Sequence, residues 1–266
     1  MKKEKNSKKI GIIGVGIVGG AVAEVVPSPL LYDKNKKIGS IDDVNKADII
    51  FVCVPTPWDN KTGFDISFVE EAVSKIKGSK IVVIKSTVLP GTTERMQKKY
   101  PQHKFLFNPE FLREVSAKED MKKPFEQIVG YTKESKSLAK EILDILPDAP
   151  SKFIVSSGEA EMLKYFSNTF LATKVIFANQ IYDLCQKLNI SYDSIKEMAK
   201  TNVRFAFSHF DVWTDGYRGY SGKCLPKDTK SLIRFAGEFG VDLDLLKTVD
   251  RINERLLKNN KKTKSN

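Results

Sequence analysis

Hydrophobic and polar positions along the first half of the chain alternate between two periods. Short continuous apolar runs recur: KKIGIIG, LLYD (Leu30–Asp33), ADIIFVCVP (Ala47–Pro55), KIVVIKST (Lys80–Thr87) and KFLFNPE. Each is the length of a strand buried on both faces. Between them lie amphipathic stretches, FDISFVEEAVSKIK (Phe64–Lys77, with Asp65 as N-cap) and TTERMQKKY. Strands alternating with helices predict a Rossmann-like, doubly wound parallel sheet. Near Ser156 the pattern changes. Gly158 to Leu188 contains no further Gly and no Pro, and Leu163, Phe166, Phe170, Ile176, Phe177, Ile181 and Leu184 keep a helical spacing. A helix of about 30 residues reaches about 45 Å, so it is expected to link two domains, form the spine of the second and present part of its apolar face to another copy of the chain. SYDSIKEMAK, CLPKDTKSLIRFAGEFG and DLDLLKTVDRINERLLKNN add further helices. The expected division is a Rossmann domain over 1–157 and an all-helical domain over 158–266.

The first strand runs into Gly14, Gly16 and Gly19, a GxGxxG followed by a short helix that Pro27 halts after two turns. Gly14 permits the tight turn, Gly16 lets backbone approach a pyrophosphate and Gly19 lets helix and strand pack closely. Asp33 ends the second strand, 19 residues after Gly14, where a carboxylate bonds the ribose hydroxyls of NAD and repels the extra phosphate of NADP. Lys34, Lys36 and Lys37 follow closely and temper that preference. NAD is therefore the expected cofactor, with Ile17 and Val18 in the glycine turn beside it.

The chain has three cysteines, Cys53, Cys185 and Cys224. Their wide spacing gives no disulfide framework and no metal motif, and suits a reducing, cytoplasmic setting. Cys53 lies in an apolar strand and Cys185 in the long helix, so both read as buried. Cys224 differs: GYSGKCLPKD places it between Lys223 and Lys227, beside glycines and at the start of a helix. Cations and a helix start lower a thiol pKa and favour nucleophilic chemistry. Lys164 and Asn168 stand four apart in EMLKYFSN, one turn on the same helical face, where they either face solvent or aim an ammonium and an amide at one oxygen. Glu110 and Glu114 follow the KFLF strand and Thr87 follows the IVVI strand, at the strand ends where such sheets bind ligands; each also suits an ordinary loop.

Net charge is +11, with five lysines in the first nine residues and four in the last nine. The excess has two readings, solvated tails or a phosphate-rich partner. No apolar run approaches the roughly 18 residues of a membrane span, and the N-terminus lacks the apolar core of a signal peptide.

Taken together, GVGIVG, FVCVPTP, DISFVEEAV, KSTVLPGTT, NPEFLREVSA, EMLKYFSNTFLATKVIFANQI and GYSGKCLPKD, in this order from about Lys9 to Leu257, resemble the UDP-glucose/GDP-mannose dehydrogenase family. The resemblance implies oxidation of the C6 hydroxyl of a nucleotide sugar to a carboxylate in two NAD-dependent steps, through a cysteine-bound thiohemiacetal and thioester, in the service of polysaccharide biosynthesis. It implies that Cys224 is the nucleophile and that Lys164 and Asn168 stabilise oxygen charge. Asp228 and Thr87 hold a water in that scheme, and Glu110 is the acid/base of thioester hydrolysis. Pro55, Thr56 and Thr87 line the cofactor site. Phe111, Leu112, Glu114, Tyr220, Ser221 and Gly222 join Glu110, Lys164 and Asn168 around the substrate. A homodimer through the 158–188 helix is expected, with neither membrane nor nucleic acid as partner.

Three features depart from the family. A short form is expected, because the chain ends soon after the helix that leads to a C-terminal nucleotide-sugar-binding domain in the family. Ser221 stands where the cysteine loop usually has the first of two glycines. The RIG motif has only Arg204 as a counterpart. Two other readings compete: a short 3-hydroxyacid dehydrogenase, which shares the glycine motif and the Lys-x-x-x-Asn helix but needs no cysteine, and a non-catalytic Rossmann dimer that binds nucleotide or polyanion.

Overall fold

The structure is a computed structural model that describes residues 8–206, 208–214 and 216–263. Most of the lysine-rich N-terminal segment and the last three residues lie outside it. The chain forms two compact units, one ending at Lys164 and one beginning at Tyr165.

The first unit is an eight-stranded sheet with the order β10-β9-β8-β7-β4-β1-β2-β3. Its strands are β1 (Ile10–Ile13), β2 (Leu30–Asp33), β3 (Ile38–Gly39), β4 (Ile49–Val52), β7 (Ile81–Ile84), β8 (Lys104–Phe107), β9 (Glu126–Tyr131) and β10 (Ser151–Ser156). A separate small hairpin is made by β5 (Trp58–Asp59) and β6 (Gly63–Phe64). Helices α1 (Ile17–Ala23), α2 (Ile41–Val44), α3 (Ser67–Ser74), α4 (Thr92–Lys99), α5 (Ala117–Lys122) and α6 (Ala139–Ile145) connect the strands. Strands β1, β4 and β7 are buried throughout. Successive residues face opposite sides: Ile50, Val52, Val82 and Ile84 enter one core with Val69, Val73 and Met96, while Ile49, Phe51, Ile81 and Val83 enter the other with Val22 and Ile142.

The sheet is mostly rather than wholly parallel. Strands β2, β1, β4, β7 and β8 pair in parallel. Strand β9 runs antiparallel to β8, and β3 antiparallel to β2. The run Ala47–Pro55 is strand only at Ile49–Val52, the residues in register with both β1 and β7. The helix expected over Phe64–Lys77 begins at Ser67, since Gly63 and Phe64 pair with Trp58 and Asp59. Ile66, not Asp65, occupies the N-cap position; Asp65 instead accepts from the Ser67 amide at 2.7 Å.

The long helix α7 runs from Ser157 to Leu188. The second unit contains its Tyr165–Leu188 part, α8 (Tyr192–Lys200), α9 (Leu225–Glu238), α10 (Asp244–Thr263) and a small hairpin of β11 (Trp213–Thr214) and β12 (Tyr217–Arg218). Ala172, Val175 and Ile176 of α7 pack with Tyr220 and with Val249 and Leu256 of α10. Among the described residues no helix is long and apolar enough to cross a membrane, and no group of His, Cys, Asp and Glu could hold a metal ion.

Candidate active site

The glycine turn has the geometry its spacing predicts. Gly14 has φ +89°, and a Cβ there would lie 2.8 Å from the Cys53 carbonyl oxygen. A Cβ on Gly19 would fall 1.9 Å from the Gly14 carbonyl oxygen, so strand and helix meet only if both positions are glycine. At Gly16 a Cβ would meet nothing within 4 Å: this glycine leaves open space in front of the backbone, with Ile17 exposed and Val18 half-buried behind it.

Asp33 is locked in place. Its carboxylate accepts from the amides of Val15 (2.8 Å), Asn35 (3.0 Å) and Lys36 (2.9 Å). Partial burial works against its charge, but the Lys36, Val15 and Asn35 amides outweigh burial and hold the carboxyl below its usual range. It sits on a cavity of about 120 Å³ that Gly14, Tyr32, Pro55 and Phe68 also line. The Lys36 ammonium donates to the Val15 carbonyl in the glycine turn at 2.6 Å. An open glycine turn, an ionised carboxylate and a cavity between them fit the adenosine half of a dinucleotide. Thr56 is buried and donates to the Thr87 carbonyl at 2.8 Å, which ties the segments after β4 and β7 together; Pro55 is exposed beside it.

A second cluster in the same unit joins Lys164 and Glu110. The ammonium donates to the Glu110 carbonyl at 2.5 Å and pairs with the Glu110 carboxylate at 3.0 Å, with side chains only 6% and 11% exposed. It also lies 5.3 Å from the Phe111 ring centre. The other carboxylate oxygen accepts from the Leu112 amide at 2.8 Å. Burial pushes the Glu110 carboxyl up, but Lys164, the Leu112 amide and Lys85 together hold it below its ordinary value. Glu110, Phe111 and Leu112 line a cavity of about 300 Å³ with Lys85, Phe125 and Gln127.

No role is expected for Lys85, although it opens the KSTVLPGTT motif. It is buried, donates to Asn108 at 2.6 Å, and burial pushes its ammonium down to about 8. Its one sequence signal is a charge at the end of the buried run IVVIK. Glu114, by contrast, is exposed at the start of a 3₁₀ turn, Glu114–Ser116, and is not among the lining residues. The chain turns outward there, so the structure does not bring Glu114 to Glu110.

The long helix contributes another carboxylate. Glu161 is fully buried and accepts from the amides of Gly91 (2.6 Å) and Thr93 (2.8 Å) and from the Thr93 hydroxyl (2.7 Å) at the start of α4. Burial raises its pKa to about 7. A carboxyl raised on folding contributes stability that is fully present below its unfolded value near 4.5 and is lost as pH rises through 7. Unfolding by urea is therefore expected to show stability from this group falling between about pH 4.5 and 7, by on the order of 3 kcal/mol. Glu161→Gln flattens that slope; an unchanged slope contradicts the assignment.

In the second unit, Cys224 is exposed while Cys53 and Cys185 are buried, as their surroundings predict. Cys224 occupies the N-cap position of α9, with Pro226 in the first turn. Gly222 before it has φ +80°, whereas Ser221 lies outside the left-handed region, so the backbone there accepts a side chain. Asp228 is 1% exposed; it accepts from Asn168 at 2.5 Å and from Lys227 at 2.6 Å. Lys164 and Asn168, one turn apart on α7, thus pair with the Glu110 and Asp228 carboxylates respectively. The Tyr220 ring is buried in a cluster with Ala172, Val175 and Ile176 of α7 and with Val249 and Leu256 of α10. Arg204 lies exposed in the 3₁₀ turn Val203–Phe205.

Residues 32–146 match the NAD binding domain of the UDP-glucose/GDP-mannose dehydrogenase family, and residues 158–255 match its central domain. The chain belongs to the UDP-glucose/GDP-mannose dehydrogenase family. Among this family's curated members, the UDP-glucose 6-dehydrogenase of Rickettsia prowazekii is 34% identical over 217 residues, which is 78% of this chain and 49% of the relative. That of Campylobacter jejuni is 35% identical over 217 residues, 78% of this chain and 53% of the relative. The chain spans about half the length of these curated relatives. A UDP-glucose dehydrogenase structure from Pyrobaculum islandicum superimposes with TM-score 0.85 at 29% identity, covering 96% of this chain and 70% of that one. The structure of a UDP-D-ManNAc dehydrogenase from Pyrococcus horikoshii shares the fold with TM-score 0.80 at 22% identity over 93% of this chain and 68% of that one.

Proposed function

We propose that this chain carries the redox centre of an NAD-dependent nucleotide-sugar 6-dehydrogenase acting on a UDP-glucose-like substrate, with a cofactor domain over 1–157 and a helical domain over 158–266. The observation that carries the reading is Cys224, the exposed cysteine of the three, at the start of α9. Bound NAD supplies the hydride acceptor for both oxidations, and Gly14, Gly16, Gly19, Asp33, Pro55, Thr56 and Thr87 are the residues suited to hold it. Loss of a hydride from C6 and of its hydroxyl proton turns the alcohol into an aldehyde, to which the Cys224 thiolate adds: a carbon–sulfur bond forms and the carbonyl oxygen takes a proton. Loss of hydride and that proton leaves a thioester. Water attacks it, the carbon–sulfur bond breaks, the carboxylate departs and the thiolate returns. In the first unit Lys164 steadies oxygen charge, Thr87 holds water and Glu110, held ionised, accepts a proton from the attacking water; in the second Asn168 steadies oxygen charge and Asp228 orients water.

The test counts NADH formed per sugar with a panel of UDP- and GDP-sugars. Two per molecule of one sugar is the expected result. One per molecule moves the reading to a single-step 3-hydroxyacid-type dehydrogenase, and binding of nucleotide without any NADH moves it to a non-catalytic dimer.

The proposed assembly is a homodimer through α7. Phe166, Phe170, Phe177, Leu184 and Leu188 are each more than half exposed along it, and Phe166 and Phe170 stack with ring centres 6.4 Å apart. Such a stripe on one helix is covered most economically by a copy of itself. Light scattering at micromolar concentration should give twice the chain mass of 30.0 kDa; the chain mass itself contradicts the dimer. The cysteine usage supports a cytoplasmic setting, and the uronate product suits polysaccharide biosynthesis.

A further inference from the structure

The loop that presents Cys224 contains two glycines in the left-handed region, Gly219 (φ +86°) and Gly222 (φ +80°). Such a loop is intrinsically loose, yet a nucleophile has to be held to within a fraction of an ångström. What holds it comes from α10. The Asn253 side chain is 2% exposed and grips the backbone of Tyr220 from both sides. Its carbonyl oxygen accepts from the Tyr220 amide at 2.7 Å, and its amide donates to the Tyr220 carbonyl at 2.9 Å. One side-chain amide thus satisfies both backbone polar groups of Tyr220. One helical turn around it, Asp250 and Glu254 hold Lys230 of α9 at 2.6 and 2.7 Å. The same stretch of α10 therefore fastens the chain four residues before Cys224 and six residues after it.

Gly219 belongs to the same device. A Cβ there would stand 2.5 Å from the Asn253 carbonyl oxygen, so the loop and the clamp are fitted to each other. The Tyr220 ring completes the anchor by packing with Ala172, Val175, Val249 and Leu256.

We infer that Asn253 is a positioning residue for the Cys224 thiol, acting through the backbone of Tyr220. This rests on the reading of Cys224 as nucleophile for its effect on turnover, but not for its effect on the loop. The clamp acts on geometry alone: its side chain is buried and both its hydrogen bonds go to the Tyr220 backbone, so its removal lowers kcat and leaves the NAD affinity of the first unit alone.

The experiment uses the full chain with Asn253→Leu, which removes both hydrogen bonds at similar volume, and Gly219→Ala, which wedges the clamp from the loop side. Three quantities are read: hydrogen exchange of the Tyr220 amide by NMR, the pH–rate profile of Cys224 alkylation by iodoacetamide followed by peptide mass spectrometry, and kcat beside KM for NAD. In both variants the Tyr220 amide is expected to exchange at least about tenfold faster. The alkylation profile moves toward that of the urea-unfolded chain, and kcat falls about 10²-fold with KM for NAD unchanged. A purely structural role predicts a lower melting temperature with unchanged amide exchange and alkylation profile, and that result overturns the inference. So does failure of both variants to fold, which assigns Asn253 to global stability. Undiminished NADH formation in Cys224→Ala is a different failure: it removes the nucleophile reading, while exchange and alkylation still decide whether Asn253 holds the loop.

Discussion

Lys164→Met should destabilise the first unit by about 3–5 kcal/mol at pH 8, the cost of leaving a buried carboxylate without its counter-charge. The Lys164 ammonium pairs with Glu110 at 3.0 Å with both side chains nearly inaccessible, and it also satisfies the Glu110 carbonyl. In the native chain Glu110 is held ionised, so its contribution is present above the unfolded carboxyl pKa and is lost as pH falls. Without Lys164, burial becomes the dominant influence and the sign reverses: the carboxyl is raised, and stability is lost as pH rises. The destabilisation measured by urea unfolding should therefore be larger at pH 8 than at pH 5. The double variant Lys164→Met/Glu110→Gln should recover much of the loss, because it removes the orphaned charge. Equal losses at both pH values in the single variant would show that the pair is not electrostatically coupled.

Cys224→Ala should reduce steady-state NADH formation by on the order of 10³-fold or more, the scale expected when a covalent nucleophile is removed. NAD binding, measured by calorimetry, should be unchanged, since the residues proposed to hold it are all in the first unit. Cys53→Ser and Cys185→Ser serve as controls. Both thiols are buried, and burial among apolar side chains pushes the Cys53 thiol up to about 12, which makes it a poor nucleophile. Loss of activity in either control with Cys224 intact, or full activity without Cys224, rejects the assignment.

Much of this arrangement was legible along the chain because its signals are local. Gly14 and Gly19 are demanded by close contacts, with Cys53 beyond the neighbouring strand and with each other, while Gly16 leaves open space in front of the backbone. The long helix follows from an unbroken 3.6-residue period, and the exposed cysteine from its polar, glycine-bearing neighbourhood. What was hard to read depended on pairing at a distance. Strands β9 and β10 and helix α6 escaped notice because EQIVGY and SKFIVS are short and mixed in polarity, and β10 is largely exposed. The antiparallel turn of β9 against β8 depends on how the chain crosses between them. Periodicity does not record this.

The amino-acid sequence by itself determined a Rossmann-type sheet, a glycine turn with an acid at the right distance, a helical second half and a single cysteine suited to chemistry. Each is set by residue type and spacing, through steric limits on φ and ψ and through the burial of apolar faces. Only the tertiary structure decided which charge holds which. It gave Lys164 to Glu110 and Asn168 to Asp228, placed Lys85 in the wall of the larger cavity, and closed Asn253 on the backbone of Tyr220. The physical reason is that buried polar groups must find partners wherever the packed elements bring them, and those partners lie 33 to 60 positions away in the chain.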